Sequence, residues 1–409
     1  MNLLLKSSVV NQQSSIKISG SKSETNRLLL LQALYPNLIL ENISNSDDSE
    51  VMLKALVTNG GIIDIHHAGT AMRFLTAYFA IQAGREVVLT GSSRMKERPI
   101  KILVDALSQL GAEISYEENE GFPPIRIKGK KLSLSKVSLS ADVSSQYISA
   151  LLLIAPKLEN GLELTLEGKI TSVPYIKMTL SLLNEIGVET SFIENKINVN
   201  PKSQIPNPKS LIVESDWSSA SYFYSIIALS EIGTEITLSS YKENGLQGDS
   251  VLAEIYKNFG VETVFNNNSI LLSKTNNRQP ITDNWQLNNS PDIAQTIAVT
   301  CFGLGIGCHL TGLHTLKIKE TDRLLALKNE LEKLGAKVSI TDDSLTLEPA
   351  SAIHSNIKIK TYQDHRMAMA FAPLALKTNI IIEEAEVVSK SYPTYWEDIK
   401  SIGFNISEL

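Results

Sequence analysis

The 409-residue chain has only two cysteines, and neither sits in a metal-binding pattern. Cys301 and Cys308 lack the spacing of a zinc site and have only His309 nearby, so they read as buried thiols. The six histidines form no ligand motif either, and His66 and His67 read as structural or lining residues. Neither a metal nor a cofactor is expected. No apolar run reaches the roughly 18 residues of a membrane span. The apolar start Met1-Asn2-Leu3-Leu4-Leu5-Lys6 is too short for the core of a secretory leader, so the expected setting is cytoplasmic. Positive charge is not in excess: 38 Lys and Arg against 44 Asp and Glu give a net charge of −6. That balance argues against a general binder of nucleic acid or acidic membranes. Cations that matter here must be gathered locally.

What the chain does have is ordinary globular composition, 43% hydrophobic and 20% charged, at a length that exceeds one usual domain. Six strongly apolar stretches run through it, at 21–34, 68–81, 144–155, 216–229, 291–304 and 364–376. A helix apolar on nearly every face is buried, so these predict the central helices of repeated units. A second marker supports the repeat. Gly111, Gly187, Gly260, Gly335 and Gly403 each follow an apolar residue that has another three positions before it, the pattern of an amphipathic helix ending at a glycine. Their spacings are 76, 73, 75 and 68 residues, and the apolar stretches from Ala68 onward start 76, 72, 75 and 73 residues apart. Two markers with one period indicate duplication into six units, the first shorter, around Leu56 and Gly60. The proline-bearing segment from Asn200 to Leu211 predicts a loop near a domain boundary and splits the units three and three. Strand-like alternation at 125–127, 162–166 and 345–347 adds short strands to each unit. The fold class expected is α/β, with buried helices covered by sheets.

The polar clusters that open these helices carry the candidate chemistry, because free backbone N–H groups at a helix start attract anions. Gly20 to Arg27 supplies serines able to cap a helix and two cations, with Lys22 expected to project beyond the helix end. Arg94, Lys96 and Arg98 sit between a strand-like segment and Pro99, a position suited to ligand contact. Lys319 and Arg323, four apart, are expected to share a helix face. Their repulsion, on the order of 3 kcal/mol at 5 Å and an effective dielectric near 20, suggests a missing anion. Asp364, His365 and Arg366 open the last buried helix, and such groups are costly there unless paired or ligand-bound. Asp292 follows Pro291 in a similar setting, and Lys390 lies in a polar turn before Pro393.

Taken in order, the segments 20–27, 68–73, 94–100, 144–146, 319–323, 364–369 and 390–393 resemble the enolpyruvyl transferase family, in the branch that acts on shikimate 3-phosphate. The resemblance spans nearly the whole chain. It implies an inside-out α/β barrel of two domains, each of three βαβαββ repeats whose helix N-termini point at an interdomain cleft holding the active site. The domains implied are 1–20 with 215–409, and 21–214. The reaction implied is transfer of the enolpyruvyl group of phosphoenolpyruvate to the 5-hydroxyl of shikimate 3-phosphate, releasing phosphate through a tetrahedral intermediate. By matching segment, Lys22, Gly69, Arg98, Gln146, Arg323, Arg366 and Lys390 would bind phosphoenolpyruvate. Lys22, Ser23, Arg27, Ser144, Ser145, Gln146, Ser172, Tyr175, Asp292, Thr315 and Lys319 would bind shikimate 3-phosphate. Asp292 would be the base for the hydroxyl. Lys319 would be the acid for the methylene carbon, assisted by Glu320, with Lys22 near both substrates. The chain departs from the common pattern at His67, Phe74 and Thr315, which touches inhibitor tolerance but no principal charge. A monomer with small-molecule substrates is implied. Two alternatives stand beside it: the sister transferase acting on UDP-N-acetylglucosamine, which usually carries a cysteine in the loop matching 92–98, and a non-catalytic anion-binding protein on the same repeats.

Overall fold

A computed structural model describes residues 1–141, 144–168, 170, 173–276 and 284–409. The chain falls into two compact units, Gly20–Val213 and Met1–Ser19 with Glu214–Leu409.

In the unit 20–213, three helices, Lys22–Leu34, Gly69–Ala80 and Ser145–Ile154, pack on one another at the centre. Their sequences leave no polar face. Leu28 to Leu31, Phe74 to Ala80 and Leu151 to Ile154 are all buried. Each such Leu or Phe contributes roughly 1.5–3 kcal/mol on leaving water, which is why the helices sit inside rather than outside. Four-stranded sheets flank them. In one, strand Gly61–Asp64 runs parallel to Glu86–Thr90, followed by the antiparallel strands Ile125–Lys128 and Glu113–Tyr116. The second repeats the pattern with 136–140, 162–167, 196–199 and 190–193. Val87, Leu89, Ile125 and Ile127 face inward at every second position, the period that a half-buried strand requires. The third sheet has only two strands, Leu38–Glu41 parallel to Lys209–Ile212. The short first unit expected around Leu56 is therefore completed from the far end of this unit, and the expected 200–211 loop ends as a strand.

The other unit repeats the plan. Helices Trp217–Leu229, Ala294–Gly303 and His365–Phe371 pack together, the last two extended by 3-10 turns at Pro291–Ile293 and Ala372–Leu376. Three four-stranded sheets surround them, each with a parallel pair followed by antiparallel partners. The N-terminal segment enters two of these sheets. Gln13–Ile16 pairs with Glu235–Ser239, and Leu3–Lys6 lies between Ile380–Ile382 and Asn405–Glu408. The five marker glycines all hold positive φ, between 73° and 115°, so each stands where an L side chain would be strained. Among the described residues no helix is long and apolar enough to cross a membrane.

Candidate active site

In the unit 214–409 the chemistry gathers at helix starts. Arg323 is the first residue of helix Arg323–Lys333, only 2% exposed, and its guanidinium is ringed by carboxylates. Its Nε donates to Asp364 Oδ2 at 2.6 Å, Nη1 to Asp292 Oδ1 at 2.8 Å and Nη2 to Glu320 Oε2 at 2.6 Å. Asp292 also faces Lys319 Nζ at 3.5 Å and Arg366 Nη2 at 3.5 Å. Arg366 further donates to the Asp292 backbone oxygen at 3.1 Å and to Ser218 Oγ at 3.2 Å, while the Ser218 hydroxyl donates to Asp249. Removing one partner from such a buried network leaves an unpaired charge and costs about 3–5 kcal/mol.

The field within this network sorts its acids. Burial pushes Asp292 up, but Lys319, Arg366 and Arg323 together outweigh it and hold the carboxyl far below the usual range. Asp249 shows the opposite balance. Burial first, then the charge of Asp292, push it up to about 7 against the pull of Arg366. Burial likewise raises Asp364, with Arg323 opposing.

The Asp364 carboxylate caps the helix His365–Phe371 by accepting from the Arg366 backbone N–H at 2.9 Å. Two non-glycine residues in the left-handed region, Tyr362 at φ 54° and Gln363 at φ 55°, lead into it. Each such residue stores about 1–3 kcal/mol of strain, which the surroundings must hold. Lys390 Nζ donates to the Gln363 carbonyl at 2.8 Å and so ties the polar turn before Pro393 to this one.

In the unit 20–213 the cations have fewer carboxylates. Lys22 opens its helix and points to Asp48 Oδ2 at 3.5 Å, and His67 Nε2 lies 3.7 Å from the other oxygen of Asp48. Gly69 opens the helix Gly69–Ala80 directly against Arg98: a Cβ there would lie 2.5 Å from Nη1 and 2.9 Å from Nη2. The missing side chain is what admits the guanidinium. Arg73 is buried beneath it, donating to Pro99 O at 2.9 Å, its pKa lowered to about 10 by burial and then by Arg98. Arg27, also buried, donates to Thr179 Oγ1 at 2.8 Å, Ser23 O at 2.6 Å and Ser149 Oγ at 3.0 Å. Burial lowers it to about 10 as well, and the Tyr175 ring lies 5.8 Å from its guanidinium carbon. Ser144 caps its helix through Gln146 N at 3.3 Å, Ser145 is buried at the first helical position, and Gln146 Nε2 donates to Thr70 Oγ1 at 3.2 Å.

Several expectations change. Lys319 and Arg323 do not share a helix, because Lys319 ends a 3-10 turn and the helix begins at Arg323 with Asp322 as its cap. The anion expected between them is supplied by the chain's own Asp292, which replaces repulsion by mutual attraction to one carboxylate. Ser21 makes no side-chain cap, and Lys22 is the first helical residue rather than lying before the turn. Of the run 94–98, Arg94 pairs with Glu97 and Lys96 with Glu118 at the surface, so only Arg98 meets Gly69. The Thr315 hydroxyl is buried without a hydrogen-bond partner among the described residues. Ser172 lies outside the described residues. Sequence reasoning missed Asp48 and Asp249. The acidic Asp47-Asp48 start of helix Asp47–Leu56 was a signal for the first, whereas Asp249 sits in a 3-10 turn that no periodicity marks.

The family model for EPSP synthase (3-phosphoshikimate 1-carboxyvinyltransferase) matches residues 56–399. The chain belongs to this family. It is 46% identical over 399 residues to the 3-phosphoshikimate 1-carboxyvinyltransferase of Bacteroides fragilis, covering 96% of each chain. With the enzyme of the same description from Pasteurella multocida it shares 36% over 423 residues, 94% of each. Among solved structures, EPSP synthase from Acinetobacter baumannii superposes with a TM-score of 0.82 at 20% identity over the whole of both chains. The enolpyruvyl transferase NikO from Streptomyces tendae gives 0.72 at 12%, covering 99% and 98%. These structural likenesses carry the mixed α/β fold, and the sequence matches carry the family. The chain is a transferase of aromatic amino acid biosynthesis, moving an enolpyruvyl group from phosphoenolpyruvate to shikimate 3-phosphate.

Proposed function

We propose that this transfer runs by addition and elimination through a tetrahedral intermediate, with the residues around Arg323 and around Gly69 acting on one substrate pair. The observation that carries the assignment is Asp292 held among Lys319, Arg323 and Arg366. The 5-hydroxyl of shikimate 3-phosphate attacks C2 of phosphoenolpyruvate and gives its proton to Asp292, while Lys319 protonates the methylene carbon. In the second step a methyl proton returns to Lys319, the bond between C2 and the phosphate oxygen breaks, and phosphate leaves carrying the proton held by Asp292. Asp292 at rest is a weak base because three cations depress it. A bound phosphate and carboxylate neutralise those same cations, so substrate binding itself raises Asp292 toward a useful basicity.

Phosphoenolpyruvate is assigned to Lys22, Arg98, Gln146, Arg323, Arg366 and Lys390, with Gly69 allowing close approach. Arg323 joins by exchanging Glu320, its most accessible carboxylate, for the ligand. Shikimate 3-phosphate is assigned to Lys22, Ser23, Ser144, Ser145, Gln146, Ser172, Tyr175, Thr315 and Lys319. Arg27 is assigned to the same substrate and, with donors committed to Thr179, Ser23 and Ser149, orients the Ser23 and Tyr175 backbone. The finer architecture fits the same picture, an inside-out barrel of three βαβαββ repeats in each of two domains, 1–20 with 215–409 and 21–214. A cytoplasmic monomer is the working form. Phosphate release measured with phosphoenolpyruvate plus shikimate 3-phosphate, plus UDP-N-acetylglucosamine, or with neither acceptor tests the reaction. Release only with the first is expected, and release with the sugar nucleotide would overturn the acceptor assignment.

A further inference from the structure

We infer that Glu330 and Tyr362 form a clamp that positions the phosphoenolpyruvate-binding groups Arg366 and Lys390. The inference rests on the assignment of those two residues to that substrate.

Glu330 is wholly buried on helix Arg323–Lys333, two turns after Arg323 and on the same side. Its carboxylate accepts from the Tyr362 hydroxyl at 2.7 Å and from the Lys360 backbone N–H at 3.1 Å, with Lys333 Nζ at 2.6 Å balancing its charge. Tyr362 and Gln363 are the consecutive left-handed residues, an arrangement that persists only when neighbours hold it. What this turn carries is functional. The Gln363 carbonyl is the seat of Lys390, and the next residue, Asp364, binds Arg323 and caps the helix that begins with His365 and Arg366. One helix thus grips the turn at both ends, Arg323 holding Asp364 and Glu330 holding Tyr362. Without the second grip, the turn relaxes toward ordinary φ values and shifts the Lys390 seat and the Arg366 helix start together. Glu330 and Tyr362 are assigned to neither substrate, so both are positioning residues.

Tyr362→Phe removes one hydroxyl and keeps the ring. A charge-assisted hydrogen bond lost at the clamp should raise KM for phosphoenolpyruvate about tenfold. The Kd for shikimate 3-phosphate, read by calorimetry, should stay within about twofold, since all its assigned residues except Asp292, Thr315 and Lys319 lie in the unit 20–213, away from the turn. Glu330→Gln, which keeps one acceptor, should give the same split, with circular dichroism confirming the fold. Equal changes for both substrates, or an unchanged KM for phosphoenolpyruvate in folded Tyr362→Phe, would overturn the clamp. Lys390→Ala separates the two levels. A raised KM there with none in Tyr362→Phe removes the clamp alone, whereas an unchanged KM in Lys390→Ala removes the assignment of Lys390 beneath it.

Discussion

Replacing Gly69 by alanine should weaken phosphoenolpyruvate binding while leaving the fold intact, and the structure gives the size of the displacement. The new methyl carbon would lie 2.5 Å from Arg98 Nη1, 2.9 Å from Nη2 and 3.0 Å from Cζ. An ordinary contact is about 3.5 Å, so the guanidinium must withdraw by about 1 Å. That movement is cheap for the protein, because Arg98 is the half-exposed end of a flexible side chain. Alanine is also the better helix former, by up to about 1 kcal/mol, so the melting temperature should hold or rise slightly. The ligand meets the full effect. A charge-assisted bond contributes about 1.5–3 kcal/mol, and its misplacement should raise KM for phosphoenolpyruvate about 10- to 100-fold. The assay is steady-state phosphate release at saturating shikimate 3-phosphate, with Arg98→Lys and the double variant alongside. Because both changes act on one contact, the double variant should be little worse than the weaker single. A folded Gly69→Ala protein whose KM for phosphoenolpyruvate stays within twofold of the parent would refute the placement of Arg98 on that substrate.

Asp292→Asn should lower turnover at least about a thousandfold while calorimetry still detects shikimate 3-phosphate binding; near-full activity would remove Asp292 as the base. Glu320→Gln should lower turnover about 10- to 100-fold with little change in melting temperature, since its pair with Arg323 is partly exposed and solvent-screened; unaltered turnover would dismiss its assisting role. Asp249 binds its proton more tightly folded than unfolded, so its contribution to stability is present below about pH 4 and is lost as pH rises toward 7. The substrate-free protein should therefore gain stability on acidification from pH 7 toward pH 5 relative to Asp249→Asn, and parallel pH curves for the two would contradict the raised Asp249.

The six buried helices were legible because their apolar runs leave no face for water, and each begins within three residues of the expected place. Lys22 and Arg366 at their starts were legible too, and Arg98 and Arg323 stood out in charged runs that lead into other helices. Their partners were not. Arg323 draws Asp292 from one repeat and Asp364 from another, and no local pattern announces which carboxylate will arrive. Treating Lys319 and Arg323 as helical neighbours failed because the Asp322 cap starts the helix between them. Gly69 was marked for close approach, but the group that approaches, Arg98, was fixed only by three-dimensional structure. The two-stranded sheet escaped for the same reason, since Lys209–Ile212 pairs with Leu38–Glu41 across most of a unit.

The pairing of Leu3–Lys6 between Ile380–Ile382 and Asn405–Glu408 has a consequence for how the protein is made. During synthesis this strand leaves the ribosome long before either neighbour exists. The sheets of 61–128 and 136–199 close over short stretches, so that unit can assemble while translation continues. Leu3–Lys6 must wait, exposing Leu3 and Leu5, until Ile380–Ile382 and Asn405–Glu408 emerge to flank it. Completion of the unit that contains Asp292, and with it activity, therefore waits for the synthesis of residues 380–408.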